Sequence, residues 1–111
     1  MEKSKFTITG QTGVKDVKFE AAGYVIYDTA VMFEKTLSDA IGEEPESITI
    51  DMEKVVVFTS IGIRVILKAY KLTNKKGIIF KIENPSDIVR NVLKLSKLDT
   101  MLLEAKGEGQ K

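Results

Sequence analysis

The chain has 111 residues with 17 Lys and Arg against 16 Asp and Glu, a length that suits one domain able to bury a core without covalent staples. It contains no cysteine and no histidine, which excludes disulfides, thiolate catalysis, a Ser-His-Asp triad and imidazole-rich metal sites. The net charge of +1 supplies no field to draw nucleic acid or an anionic membrane, and no cofactor or metal is expected.

Met1–Lys5 is polar with no apolar segment of signal length behind it, and no run approaches the length of a bilayer span. The expected location is the cytoplasm, without direct membrane insertion. Phe6-Thr7-Ile8-Thr9 alternates apolar with hydroxyl side chains before Gly10 and Gly13, the pattern of a half-buried strand ending in a turn. Val17 to Ala21 repeats the alternation, so the two predict a hairpin at the sheet edge. Beyond Gly23 the period changes. Asp28 or Thr29 is placed to cap a helix whose apolar residues Ala30, Phe33, Leu37, Ala40 and Ile41 share one face, with Gly42 as its stop. Glu43 to Glu46 then reads as an acidic surface loop.

Ser47 to Met52 is a strand, and Val55 to Phe58 an unbroken β-branched and aromatic run, with Glu53-Lys54 interrupting them. A continuous apolar strand predicts burial on both faces. Thr59 and Ser60 follow, two hydroxyls where a helix from Ser60 to about Asn74 begins. The first N–H groups of a helix lack intrahelical partners, so a hydroxyl there either caps the helix or carries a phosphate that those donors hold. Ile63, Ile66, Leu67 and Tyr70 fall at helical spacing, and Ile61, Val65, Ala69 and Leu72 cover much of the remaining circumference. Arg64, Lys68, Lys71 and Lys75 form one narrow basic stripe, either a solvated face or a docking stripe for an acidic partner.

Gly77 restarts the chain as a strand, Ile78 to Ile82, completing a strand-helix-strand unit expected to be parallel and right-handed. Asn84-Pro85-Ser86-Asp87 predicts a helix start with Asn84 as cap and Pro85 first. Ile88, Val92 and Leu95, flanked by Val89 and Leu93, are expected to face the core, with Arg90, Lys94 and Lys97 outward. Leu98 to Leu103 suits a short strand or helical turn, and residues 105–111 a fraying tail beyond a domain of residues 1–104.

This order of elements, with a hydroxyl pair opening the second helix, resembles the STAS domain of anti-sigma factor antagonists over nearly the whole chain. Its most specific part is Ile50-Asp51-Met52-Glu53-Lys54-Val55-Val56-Val57-Phe58-Thr59-Ser60-Ile61-Gly62-Ile63, similar to that family's segment of aspartate, apolar, two polar residues, an apolar stretch and Asp-Ser-Ser-Gly-Leu. Val17-Lys18-Phe19 through Gly23 is similar to the family's second strand and following turn. Asn84-Pro85-Ser86 with Val89, Val92-Leu93 and Leu95-Ser96-Lys97-Leu98-Asp99 resembles its closing helix. The resemblance implies a single α/β domain: a mixed four- to five-stranded sheet with three to four helices, mainly on one face.

In that family an anti-sigma factor that is also a serine kinase binds the antagonist at the start of this helix and phosphorylates a Ser or Thr there, which breaks the complex. The resemblance therefore implies partner binding through Thr59, Ser60, Ile61, Gly62 and Arg64, with no catalytic residue in the chain itself. Thr59 stands where the family usually has Asp, and Ile61 occupies the usual acceptor position. Ser60 is then the first phosphoacceptor candidate and Thr59 the second. In the turn after Gly23, Tyr24 and Ile26 replace the family's acidic positions. STAS domains also serve as subunits of membrane transport systems, where the same helix packs on an ATPase, and that partner is the alternative. A receiver-like phosphoacceptor is a third reading, but it needs clustered acids to hold magnesium, and only Glu53 lies near Asp51 in sequence.

Overall fold

The computed structural model describes residues 5–103; residues 105–111, expected to fray, lie outside the described residues. The hairpin forms as the alternation predicts. β1 (Phe6–Gly10) pairs antiparallel with β2 (Asp16–Val25), Ile8 opposite Ala21. β2 continues past the expected end at Ala21. β3 (Ser47–Phe58) and β4 (Ile79–Glu83) add in parallel, giving a four-stranded sheet in the order β1-β2-β3-β4.

Glu53-Lys54 does not divide β3 in two; the strand absorbs it by bulging. The register with β2 slips between Glu20 and Ala22 and again between Gly23 and Tyr24, so that Glu20 faces Asp51, Ala22 faces Lys54 and Val25 faces Phe58. Each slip inserts one extra residue into β3. The buried positions accordingly change from every second residue (Ile48, Ile50, Met52) to every third (Val55, Phe58). The expectation that Val55 to Phe58 is buried on both faces fails here: Val56 is 58% exposed.

Rows of paired residues show where the core sits. Val17, Ile48 and Phe80 align across three strands, as do Phe19, Ile50 and Ile82, and all six are buried. The next rows over carry Lys18, Thr49 and Lys81, then Glu20, Asp51 and Glu83, none of them buried. One face of the sheet is therefore apolar and carries the helices, and the other is polar. α1 (Tyr27–Gly42) contributes Ala30, Phe33, Leu37 and Ile41, with the Phe33 ring centroid 5.4 Å from that of Phe6. Burying one such side chain stabilises the fold by roughly 1.5–3 kcal/mol.

The ends of α1 differ from expectation. Ile26 is the N-cap, and Asp28 lies inside the first turn. Ile26 has no side-chain acceptor, so only half of a capping box forms: the Thr29 Oγ1 accepts from the Ile26 N–H at 3.0 Å and donates to the Tyr24 carbonyl at 2.6 Å. The helix runs through Gly42 to a cap at Glu43, and the left-handed residue of the exit is Glu44, at φ 55°.

α2 (Ser60–Lys76) buries Gly62, Val65, Ile66, Ala69 and Thr73, while Ile63, Leu67 and Tyr70 are half-buried on its flank. The buried Thr73 hydroxyl donates to the carbonyls of Ala69 and Tyr70, both at 3.0 Å. Gly77, at φ 74°, ends the helix in the left-handed conformation that a glycine adopts without a Cβ penalty. α3 (Asp87–Leu95) is capped by Ser86, not Asn84: the Ser86 Oγ accepts from the Val89 N–H at 3.4 Å. Asn84 instead takes φ 46° and donates to Asp51 Oδ2 at 2.9 Å. The core face of α3 is Val89 and Leu93; Val92 is half-buried, Ile88 is exposed and Leu95 is 84% exposed, a correction to the predicted stripe. α4 (Asp99–Leu102) is a single helical turn, after which Leu103 makes a parallel bridge to Ile82.

Candidate functional site

Thr59 and Ser60 lie where β3 gives way to α2, and the end of β2 fixes that junction. The Val25 carbonyl accepts from both the Thr59 N–H, at 3.2 Å, and the Thr59 hydroxyl, at 3.1 Å. Thr59 is the N-cap by backbone conformation, with φ −102° and ψ −179°, but its hydroxyl faces the strand and makes no capping bond. The first turn of α2 contains no acidic residue either. The helix therefore keeps the partial positive charge of its N-terminus without an internal counter-charge. Ser60, the first helical residue, is exposed, and its hydroxyl makes no hydrogen bond among the described residues. Of the two hydroxyls, one is committed to the fold and one is free.

Gly62 explains how close the helix start comes to the sheet. A Cβ at this position would stand 2.6 Å from Phe58 Cε1 and 2.8 Å from Val25 Cγ1, both on buried side chains. Only a residue without a side chain allows this approach. With Gly62 against the sheet, Ile61 falls toward α1 and Arg64 toward solvent. There a groove of about 210 Å³ opens between the helices, lined by Tyr27, Ala30 and Val31 of α1 and by Ile61, Arg64 and Val65 of α2. Glu34 and Lys68 also line it and pair across it at 2.6 Å.

The structure thus gathers Thr59, Ser60, Ile61, Gly62 and Arg64 at one corner of the molecule. The sequence reading missed Tyr27 and Val31, which are 77% and 72% exposed. Their signal was present: they are four residues apart on α1, just off the Ala30-Phe33-Leu37 core stripe. The basic stripe is exposed at Arg64, Lys68, Lys71 and Lys75.

Asp51 has a different role. Its Oδ1 accepts from the Glu53 N–H at 3.0 Å and its Oδ2 from Asn84, so the carboxylate ties the bulged part of β3 to the turn after β4. The sheet register brings Glu20 and Glu83 alongside it, acids that sequence proximity did not reveal. Lysines interleave this row, Lys18 to Glu83 at 2.8 Å and Lys54 to Glu20 at 3.6 Å. The hydrogen bond and charge of Glu83, with smaller contributions from Asp51 and Glu20, raise the Lys18 pKa above 10.5. Among the described residues no group of acids is arranged to hold a metal ion, and no helix is long and apolar enough to cross a membrane.

This four-stranded sheet with its helices is an α/β fold that recurs in solved structures. An anti-sigma factor antagonist from Mycobacterium paratuberculosis matches with a TM-score of 0.80 at 18% identity, over 89% of this chain and 85% of its own. The anti-sigma factor antagonist SpoIIAA in its unphosphorylated form matches at 0.77 and 18% identity, over 94% and 93%. The Bacillus cell fate determinant SpoIIAA in its phosphorylated form matches at 0.71 and 17%, over 94% and 96%. At such identities these are likenesses of fold. None of the curated proteins matches the chain in sequence. Residues 5–107 match the STAS domain, and the chain belongs to that family.

Proposed function

We propose that the chain is a non-enzymatic interaction module, an anti-sigma factor antagonist-like protein of the cytoplasm that binds an anti-sigma factor/serine kinase through the start of α2. One observation carries this reading: an exposed, uncapped Ser60 followed by half-buried Ile61, which lines the groove beside the exposed Tyr27 and Val31. The contact residues are Thr59, Ser60, Ile61 and Arg64; Gly62, buried against Phe58 and Val25, seats the helix start that presents them. Ser60 is the phosphoacceptor; the Thr59 hydroxyl is already donated to Val25. A phosphate at Ser60 adds roughly −1.5 to −2 charge. The N-terminus of α2, with Arg64 one turn on, tolerates that charge within the domain. An apolar or acidic partner surface does not, so the same group that is stable locally is repulsive at the interface.

The test uses a kinase-type anti-sigma factor from the same genome, with ATP. Ser60 is expected to be labelled, and Ser60→Ala to abolish labelling. Ser60→Asp is expected to keep the fold, since an acid suits a helix N-terminus, yet weaken the complex, and Ile61→Arg to abolish it. Labelling elsewhere, or none with a kinase that binds, reduces Ser60 to a structural helix start. Ile61 at the usual acceptor position favours a second reading, an unswitched subunit of a transport system; capture of a transporter ATPase and no kinase would select it.

A further inference from the structure

Over its 17 residues α2 carries Arg64, Lys68, Lys71, Lys75 and Lys76 and not one acid. Lys68 and Lys76 are neutralised by Glu34, at 2.6 Å, and Glu44, at 3.0 Å. Arg64, Lys71 and Lys75 are exposed and have no ion-pair partner among the described residues. Spaced by seven and then four residues, about two turns and one turn, they share one ridge about 17 Å long. The groove that exposes Tyr27 and Val31 meets this ridge at Arg64, its N-terminal end, and Ile61 forms the groove's other wall. Large apolar residues left contiguous and open to solvent mark a contact surface. At about 210 Å³ the groove is below the roughly 300–1,000 Å³ of small-molecule sites, and it suits the side chains of another protein.

We propose that this groove and ridge dock an acidic amphipathic helix of a partner protein. Its apolar side chains, spaced by three or four residues, seat against Tyr27, Val31 and Ile61, and carboxylates on the adjoining flank meet Arg64, Lys71 and Lys75. The proposal rests on the reading of the α2 start as the docking site and gives that site's partner its chemistry. Charge selects the occupant. A second copy docking by two-fold symmetry sets basic ridge against basic ridge, whereas an acidic helix is complementary along the whole length. Ile61 then belongs to the apolar contact, and ionic strength governs the encounter because the cations are exposed.

The experiment selects a phage-displayed library of helix-length random peptides on the full chain. Enriched peptides are expected to place apolar residues at helical spacing with acids along one flank. A synthetic copy of the strongest is expected to shift the amide NMR signals of Tyr27, Val31, Ile61 and Arg64. Val31→Lys and Arg64→Glu, both at exposed positions with the fold checked by circular dichroism, are each expected to weaken it about tenfold or more, and high salt to weaken it further. No enrichment, neutral or basic peptides, or a footprint elsewhere overturns the proposal. So does a concentration-dependent dimer, or binding to phosphatidylglycerol vesicles, that Arg64→Glu abolishes. Capture of the kinase-type partner separates this inference from the reading beneath it. Loss with Ile61→Arg but not with Val31→Lys or Arg64→Glu removes the acidic helix and leaves the docking site. Insensitivity to all three removes the docking site itself.

Discussion

Gly62→Ala tests whether the seat of α2 on the sheet is set by the missing side chain. In an unconstrained helix the substitution stabilises by roughly 0.5–1 kcal/mol, because alanine loses less backbone entropy than glycine. Here the added methyl would stand 2.6 and 2.9 Å from two atoms of the Phe58 ring and 2.8 Å from a Val25 methyl. Both neighbours are buried, Val25 at 0% and Phe58 at 4% exposure, so neither can swing into solvent. Overpacking of this kind costs roughly 1–3 kcal/mol. The net expectation is a loss of about 1–2 kcal/mol, or about 5–10 °C in Tm for a domain of this size. Urea denaturation followed by far-UV circular dichroism measures it, since the chain has no tryptophan. Combining Gly62→Ala with Phe58→Leu should cost less than the sum of the two, because the smaller side chain vacates the space that the methyl needs. If Gly62→Ala stabilises by the helix-propensity amount, or if the two substitutions add independently, the close approach is not what fixes the helix start.

Thr59→Val removes the hydroxyl donated to Val25 but leaves the Thr59 N–H on the same carbonyl, so a loss of about 0.5–1.5 kcal/mol is expected in urea denaturation. A neutral result would mean that the hydroxyl is not engaged by the fold and is as available to a kinase as that of Ser60. Lys18→Gln probes the polar face of the sheet. Because Glu83 raises the Lys18 pKa above 10.5, the stabilising contribution is complete below that pH and disappears as pH rises through the folded-state value. The difference in Tm between the parent and Lys18→Gln should stay constant through neutral pH and close in strongly alkaline buffer; a difference that persists there contradicts the pairing.

Where one period dominates, as in the hairpin and the α1 core stripe, the sequence was enough to place the element. It was not enough where two phases compete. In α3, Ile88-Val92-Leu95 and Val89-Leu93 both repeat at helical spacing, and nothing in a linear pattern says which stripe meets the sheet. Ser86 as cap and Asn84 bonded to Asp51 fix how the chain enters the helix, and that entry turns Val89 and Leu93 inward. In β3 the pair Glu53-Lys54 looked like an interruption because a bulge, visible only against β2, converts spacing of two into spacing of three.

The site shows the same division between what lies along the chain and what only folding assembles. The motif from Asp51 to Ile63 located the start of α2, yet half of the groove's lining comes from α1, Tyr27 and Val31 included, about thirty positions earlier in the chain. Ile61 is where the two views differ most. Along the sequence it is a hydroxyl lost from the family's usual acceptor position. In the fold it is an apolar wall facing two exposed apolar residues, with Arg64 one turn from Ser60 and the ridge of Lys71 and Lys75 beyond. A hydroxyl or phosphate at position 61 would interrupt that wall, so phosphorylation of Ser60 and apolar docking through Ile61 divide two tasks between adjacent residues. The division predicts separable defects: Ile61→Ser weakens docking and leaves labelling of Ser60 intact, and a kinase assay run beside a binding titration distinguishes them.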